Sequence, residues 1–179
     1  MTPYHELIAA KRITFEAHGL ANVPTLNPAM NPHQAHVVDF ALRQGRSAMF
    51  LDTGLGKTLC ALEWGRVVVE FSNRPVLMLA PLAVAAQHER EAVKFGIDAK
   101  AIREPHEITG PRVYITNYER LAKFDLSQFA GVVLDESSIL KSFNGKTTAA
   151  LIAGFADTPF RLACTATPAP NDHAELGQH

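Results

Sequence analysis

The sequence predicts an α/β domain of three layers, in which a mostly parallel central sheet lies between helices on both faces. Short, almost uninterrupted apolar segments alternate along the chain with longer segments of helical periodicity. Strands that are apolar along their whole length are buried on both faces, which is typical of parallel sheets covered by helices. Of the 179 residues, 47% are hydrophobic and 20% charged, which is ordinary for a globular domain and argues against disorder.

The first part of the chain predicts a helix and a connector that precede the main domain. Residues 3–17 have helical spacing of their apolar side chains, and residues 23–32 contain three prolines, which favours a loop. We therefore divide the chain into an N-terminal helix and connector over residues 1–25 and one α/β domain over residues 26–179.

Strands and helices then follow one another within the domain. In the helix predicted over residues 83–95, the pattern places His88 and the charged residues around it on the side that faces solvent. The predicted helices cover residues 33–44, 58–71, 83–95 and 144–155, and the predicted strands cover residues 47–51, 76–81, 113–118, 131–136 and 161–167.

Charge and cysteine content exclude several classes of protein. The net charge of −1 carries no global basic signature for nucleic acid, so a dedicated DNA-binding module is disfavoured. Cys60 and Cys164 lie far apart in apolar segments, without disulfide or metal-ligand spacing, which favours a reduced, cytoplasmic setting. The N-terminus does not resemble a signal peptide, and no apolar run is long enough to span a bilayer, so we expect no membrane partner.

A glycine-rich turn follows the first predicted strand and begins the next predicted helix. Glycines let the backbone bring its amides to phosphate oxygens, and the N-terminus of the helix attracts the same negative charge. Lys57 would reach the β- and γ-phosphates, and the Thr58 hydroxyl would bind Mg²⁺. The turn therefore predicts a site for ATP and Mg²⁺ made of Asp52, Thr53, Gly54, Leu55, Gly56, Lys57 and Thr58.

This turn departs from the strict phosphate-loop pattern at one position. Leu51 stands seven residues before Thr58, where the pattern has glycine. A glycine turn that only begins an ordinary helix is the structural alternative. The strand, turn and helix context is what phosphate binding requires, and it favours the nucleotide site.

Two adjacent carboxylates end the apolar segment over residues 131–136. In nucleotide hydrolases with a phosphate loop, an acid at a strand end holds Mg²⁺, and a second acid can orient and deprotonate the attacking water. We assign Asp135 to the metal and Glu136 to the water, so the candidate catalytic residues are Lys57, Asp135 and Glu136. Two solvated acids that close a strand are the alternative, which the phosphate loop upstream disfavours.

Six blocks occur in an order that resembles a known family. They are NPHQ (31–34), LDTGLGKT (51–58), LAPLAVAAQHEREAVKF (79–95), ITNYERL (115–121), LDESS (134–138) and ACTATPAPNDHAEL (163–176). In this order they resemble the adenine-reading block and motifs I, Ia, Ib, II and III of superfamily-two helicases, especially the Swi/Snf-like branch and its bacteriophage members. The resemblance covers residue 26 to the end and implies the RecA-like ATP-binding lobe of a DNA helicase or translocase.

The resemblance also implies roles outside the phosphate loop. Gln34 is expected to read adenine, since an amide donates and accepts at once. Residues expected to couple nucleotide state to DNA contact are Ser138, Thr165 and Thr167, although the two threonines also fit simple turn chemistry. Motifs Ia and Ib are expected to contact the DNA backbone with low sequence specificity. Their candidate residues are Pro81, Leu82, Gln87, Thr116 and Asn117, for which a polar loop rim without DNA is the alternative.

The sequence differs from the family pattern in three respects. Ser138 replaces a histidine common in relatives, which puts coupling in doubt, and His88 stands where the Swi/Snf branch often has tryptophan. The family has a second RecA-like lobe that brings arginine fingers, and residues 1–179 stop just after motif III. We therefore expect a second lobe to be a partner in cis or in trans, and weak ATP binding with very slow hydrolysis without it. A binding-only lobe and an unrelated phosphate-loop enzyme, such as a small-molecule kinase, are the competing hypotheses.

Overall fold

Each strand of the central sheet runs parallel to its neighbours. The computed structural model describes residues 17–138 and 145–167, and for residues 145–148 it describes the backbone alone. Across the sheet the strands lie in the order β1-β6-β5-β2-β4-β3. They are β1 (Arg46–Phe50), β2 (Val76–Ala80), β3 (Ala99–Ala101), β4 (Val113–Asn117), β5 (Gly131–Asp135) and β6 (Phe160–Thr165).

Helices connect these strands and cover both faces of the sheet. The α-helices of the described residues are α1 (Pro32–Gln44), α2 (Lys57–Ser72), α3 (Ala85–Lys94) and α4 (Gly145–Gly154). Short 3₁₀ helices span Pro105–Glu107, Tyr118–Lys123 and Leu126–Gln128. This arrangement confirms the predicted α/β class with three layers and a parallel sheet.

Two hydrophobic cores lie on opposite faces of the sheet. Alternate residues of β2 point to different cores, Met78 toward α1, α2 and α3, and Leu79 toward the face that holds α4. The first core includes the fully buried Trp64, and the second includes Phe155. Because both faces are buried, the strands need apolar residues at nearly every position, which explains the uninterrupted runs in the sequence.

The observed elements agree with most predicted ones and correct others. The five predicted strands are present. The strand predicted over residues 131–136 ends one residue early, since Glu136 lies outside β5 and has a positive φ of 51°. Strand β3 was not predicted, because it has three residues at the sheet edge and includes Lys100. The placement of His88 on the solvent side of its helix was wrong, since its side chain is buried.

The connector before α1 packs onto the domain through a buried ion pair. Asn27 donates its backbone N–H to Glu63 of α2 over 2.8 Å, and Arg66 pairs with the same carboxylate at 2.6 Å. These bonds satisfy the charge of Glu63, which is fully buried. They fix the loop that leads to Gln34. The helix predicted over residues 3–17 lies almost wholly outside the described residues, and no described helix is both long and apolar enough to cross a membrane.

Candidate nucleotide site

The glycine-rich turn joins the carboxyl end of β1 to the first residue of α2. Gly54 and Gly56 have φ values of 83° and 80°, a backbone conformation that costs glycine nothing. Helix α2 begins at Lys57 without a side-chain cap, and its first intrahelical bond runs from Cys60 N to Gly56 O. The amides of Lys57, Thr58 and Leu59 precede this bond and have no intrahelical acceptor, so they can donate to phosphate oxygens. Lys57 Nζ donates to Leu51 O over 2.9 Å, across the mouth of the turn.

A cleft of about 610 Å³ opens over this turn. Leu55 alone among the predicted ATP residues does not line it, and this side chain is 45% exposed. One wall comes from α3, whose exposed residues Gln87 and Glu91 hydrogen-bond to each other over 3.3 Å. The lining consists of Ala29, Gln34, Asp52, Thr53, Gly54, Gly56, Lys57, Thr58, Leu59, Gln87, Glu91 and Phe95.

Gln34 lies over the glycine-rich turn because of the way α1 begins. Asn31 caps the helix by accepting from Gln34 N, and Gln34 Oε1 accepts from Asn31 N, which is a capping box. The Gln34 amide then donates from Nε2 to Leu55 O over 3.0 Å. One N–H and one lone pair of this amide are left over, enough for the predicted pairing with adenine.

Gly56 leaves just enough room for the Gln34 amide. A Cβ at this position would lie 2.2 Å from Gln34 Nε2, and the residue has a positive φ. We expect Gly56→Ala to lower the free energy of unfolding by about 1.5–3 kcal/mol, because about 1–2 kcal/mol of backbone strain is joined by displacement of the Gln34 amide from its hydrogen bond to Leu55 O. Urea denaturation measures this loss.

Gly96→Ala is the matched control for this substitution. Gly96 has a φ of 66°, and a Cβ there meets nothing within 4 Å, so this variant reports backbone strain alone. Adding Gln34→Ala to Gly56→Ala should restore part of the lost stability. Equal losses for Gly56→Ala and Gly96→Ala would contradict the contact between Gly56 and Gln34.

The acidic pair and the glycine-rich turn follow strands that both neighbour β6. Cys164 is in register with Met49 of β1 on one side and with Asp135 of β5 on the other. Since adjacent strands lie about 4.8 Å apart, Met49 and Asp135 are separated by two such spacings, which is about 10 Å. Burial raises the pKa of the Cys164 thiol well above its ordinary value, and the charges of Asp135, Lys57 and Glu136 also act on it. Lys57, Asp135 and Glu136 thus lie at the same edge of the sheet, and of the three only Lys57 lines the cleft.

Glu136 is held by two hydroxyl groups from residues predicted to couple nucleotide and DNA. Its Oε1 accepts from Thr165 Oγ1 over 2.9 Å and from Ser138 Oγ over 2.8 Å. Thr165 Oγ1 in turn accepts from Thr167 N over 3.1 Å. The left-handed backbone of Glu136 is strained, and such strain persists where surrounding bonds hold it. The predicted coupling residues therefore meet at the carboxylate assigned to the water.

Asp135 is fixed from both its side chain and its backbone. Its Oδ2 lies 2.7 Å from His88 Nε2 of α3, and its carbonyl oxygen accepts from the Tyr118 hydroxyl over 2.8 Å. Burial, followed by the nearby Asp135 charge, raises the pKa of Tyr118 well above its ordinary value. Sequence reasoning missed both partners, since a contact between residues 47 positions apart leaves no periodic signal.

The candidate DNA residues do not form one surface. Leu82 is 68% exposed beside Pro81, whereas Gln87 lines the nucleotide cleft. Thr116 and Asn117 are buried, and the Thr116 hydroxyl donates to Ile102 O over 3.0 Å. A direct contact from Thr116 to a DNA strand would require the hydrogen bond to Ile102 to break. Leu82 and Pro81 are therefore better placed than Thr116 for a contact with DNA. The DNA contacts stay a prediction.

A family model agrees with the motif order. The model described as DEAD/DEAH box helicase matches residues 31–176, which is most of the chain. The chain belongs to the DEAD/DEAH box helicase family. Helicase domains of this family bind ATP with Mg²⁺ and generally hydrolyse it, so the chain is a helicase-type ATP-binding domain. The predicted family is thereby confirmed. A search of curated proteins found no significant match.

Solved helicase structures share the fold of this family member. The UvsW helicase of bacteriophage T4 matches with a TM-score of 0.70 and 19% identity, over 87% of this chain and 60% of that one. The SWI2/SNF2 ATPase core of Sulfolobus solfataricus, in complex with double-stranded DNA, matches with a TM-score of 0.68 and 21% identity, over 89% of this chain and 36% of that one. The Hef helicase domain of Pyrococcus furiosus matches with a TM-score of 0.67 and 17% identity, over 87% of this chain and 37% of that one. The chain thus has the fold of a superfamily-two RecA-like lobe and spans less than two thirds of each structure.

Proposed function

We propose that the chain is the ATP-binding lobe of a DNA translocase or helicase, which couples hydrolysis of Mg-ATP to movement on DNA. The arrangement that carries this proposal is the glycine-rich turn and the acidic pair on either side of β6, with Thr165 of β6 bonded to Glu136. In this proposal the Thr165 hydroxyl senses the nucleotide through its hydrogen bond to the Glu136 carboxylate. The SWI2/SNF2 core was solved with double-stranded DNA, which supports DNA as the track.

The proposed chemistry uses residues from three segments of the chain: the start of α2, the residues after β5 and the end of β6. Lys57 and the free amides of α2 bind the β- and γ-phosphates. Glu136 orients the attacking water and accepts its proton. The hydroxyls of Thr165 and Ser138 keep the Glu136 carboxylate in one position. A shift of β6 or of the loop after β5 therefore moves this carboxylate relative to the attacking water.

The oxygen donors of the site fit Mg²⁺. This ion is bound by few carboxylates together with substrate phosphates. Asp135 has a side chain 11% exposed at the end of β5, and Thr58 lines the cleft at the start of α2. In this proposal both residues hold the ion, which neutralises phosphate charge when bound.

A second RecA-like lobe is proposed as a partner of this one. The cleft over the glycine-rich turn is open on one side, and the chain spans only 60% of the UvsW structure. An arginine finger from a partner domain is worth about 10³- to 10⁵-fold in rate in nucleotide hydrolases. A lobe that binds ATP without turnover is therefore the second candidate function.

ATP hydrolysis with and without DNA tests the proposal. We expect DNA to raise the rate and Lys57→Ala to lower Mg-ATP affinity by about 10- to 100-fold, the equivalent of a charge-assisted hydrogen bond. Phosphate release and binding of a fluorescent ATP analogue measure the two effects. Lys100→Ala, on the edge strand β3, removes the same charge away from the cleft and should change neither.

Three other outcomes would each redirect the assignment. Binding through Lys57 without turnover, with or without DNA, would favour the binding-only lobe. Phosphate transfer to a small molecule, unaffected by DNA, would favour a kinase. Hydrolysis that is independent of Lys57 would contradict the nucleotide site itself.

A further inference from the structure

We propose that His88 is a positioning residue for the Mg²⁺-binding carboxylate, so that helix α3 sets how tightly the site holds Mg-ATP. This inference rests on the proposed function, because it assigns Asp135 to the metal. The structural basis is the contact of 2.7 Å between His88 Nε2 and Asp135 Oδ2. Both residues are buried, His88 with 5% and Asp135 with 8% of its surface exposed.

The direction of this hydrogen bond follows from the chemistry of the two groups. An ionised carboxylate can only accept, so the His88 ring donates from Nε2. The bond is made by Oδ2, and we propose Oδ1 as the ligand atom for the metal ion. Side chains that hydrogen-bond a ligating carboxylate fix its orientation, and removing such partners typically costs 10- to 100-fold in metal affinity.

The other nitrogen of the ring argues against a merely structural role. Among the described residues, His88 Nδ1 is buried and has no hydrogen-bond partner. An unsatisfied buried polar atom lowers stability, and an apolar side chain of similar size would avoid that loss. The bond to Asp135 is therefore the polar contact that the ring makes among the described residues.

The place of His88 in the fold gives the contact a further consequence. Helix α3 follows the loop that contains Leu82, an exposed candidate DNA residue. Tyr118, in the segment after β4, holds the backbone of the same aspartate over 2.8 Å. Both segments that resemble DNA-contacting motifs thus hydrogen-bond to Asp135, α3 at its carboxylate and the segment after β4 at its backbone carbonyl. A displacement of either segment moves Asp135.

The experiment compares two substitutions that differ in one donor group. His88→Gln and His88→Met have similar length and volume, but only glutamine has an N–H that reaches Asp135. The affinity of the full chain for a fluorescent ATP analogue is measured with excess Mg²⁺ and with excess EDTA, and the ratio isolates the contribution of the metal. Thermal unfolding midpoints show whether each variant is folded.

We expect His88→Met to reduce the Mg²⁺-dependent gain in affinity by about tenfold, without changing the affinity in EDTA. His88→Gln should keep most of the gain. If methionine prevents folding, His88→Asn replaces it, because its shorter amide does not reach Asp135.

Each alternative outcome has a distinct meaning. An equal Mg²⁺-dependent gain in the wild type and both variants would overturn the role of His88 and leave the proposed function intact. Equal losses in both variants would also overturn it, since the donor would not matter. A wild-type chain whose nucleotide affinity does not depend on Mg²⁺ would overturn this inference and the assignment of the metal site together.

Discussion

Replacing Glu136 by glutamine should lower the rate of ATP hydrolysis by about 10²- to 10⁴-fold while leaving Mg-ATP affinity almost unchanged. Glutamine has the shape of glutamate and can still accept from Thr165 and Ser138, so the local geometry is retained. It cannot take a proton from water at neutral pH. Phosphate release at saturating ATP and DNA, together with analogue binding, separates the two effects.

The control for this prediction is Glu119→Gln, which neutralises an exposed carboxylate in the 3₁₀ helix after β4. Glu119→Gln should leave the rate of ATP hydrolysis unchanged. Should Glu136→Gln lose affinity and rate by the same factor, Glu136 would act in binding rather than as the base. Should it lose neither, the water would be activated elsewhere.

The strands and the nucleotide motifs were predictable because their signals are local. A strand buried on both faces needs an apolar run such as that of β2, and a phosphate loop needs its glycines in sequence. Lys57 and Asp135 were assigned from the chemistry of their immediate neighbours. Each of these features is encoded within one short segment of the chain.

The orientation of α3 was not predictable from its own residues. Val93 is apolar and 74% exposed, whereas His88 is polar and buried, so the usual rule of apolar residues inside is reversed along this helix. The bond from His88 to Asp135 satisfies Nε2 of the buried ring. That bond depends on the packing of α3 against β3, β4 and α2, which no periodic pattern expresses.

The strained backbone of Glu136 was also beyond reach of the sequence. Continuation of β5 through this residue was expected, yet the strand ends at Asp135 and the next residue is left-handed. Thr165, 29 positions away, accounts for this by bonding the Glu136 carboxylate. Local propensity sets where strands form, and long-range polar bonds set how their last residues turn.

Removing the side chain of Trp64 should lower the free energy of unfolding by about 3–5 kcal/mol. Trp64 is fully buried between α2 and the sheet, and its ring meets Phe160 edge to face with centroids 6.3 Å apart. Trp64→Ala would leave a cavity beneath α2, the helix whose N-terminus we propose to bind phosphate. Urea denaturation followed by circular dichroism measures the loss, since this is the sole tryptophan and its fluorescence disappears with it.

Trp64→Phe is the matched control, because it keeps an aromatic ring against Phe160 and removes an indole N–H that has no partner among the described residues. We expect this variant to lose less than about 1.5 kcal/mol. Equal losses for the two variants would mean that ring packing does not stabilise α2. If alanine instead costs far more than phenylalanine, Mg-ATP should restore part of the stability, because a ligand that binds only the folded chain shifts unfolding by mass action. That restoration should be smaller in the Lys57→Ala background, because this variant is expected to bind Mg-ATP more weakly.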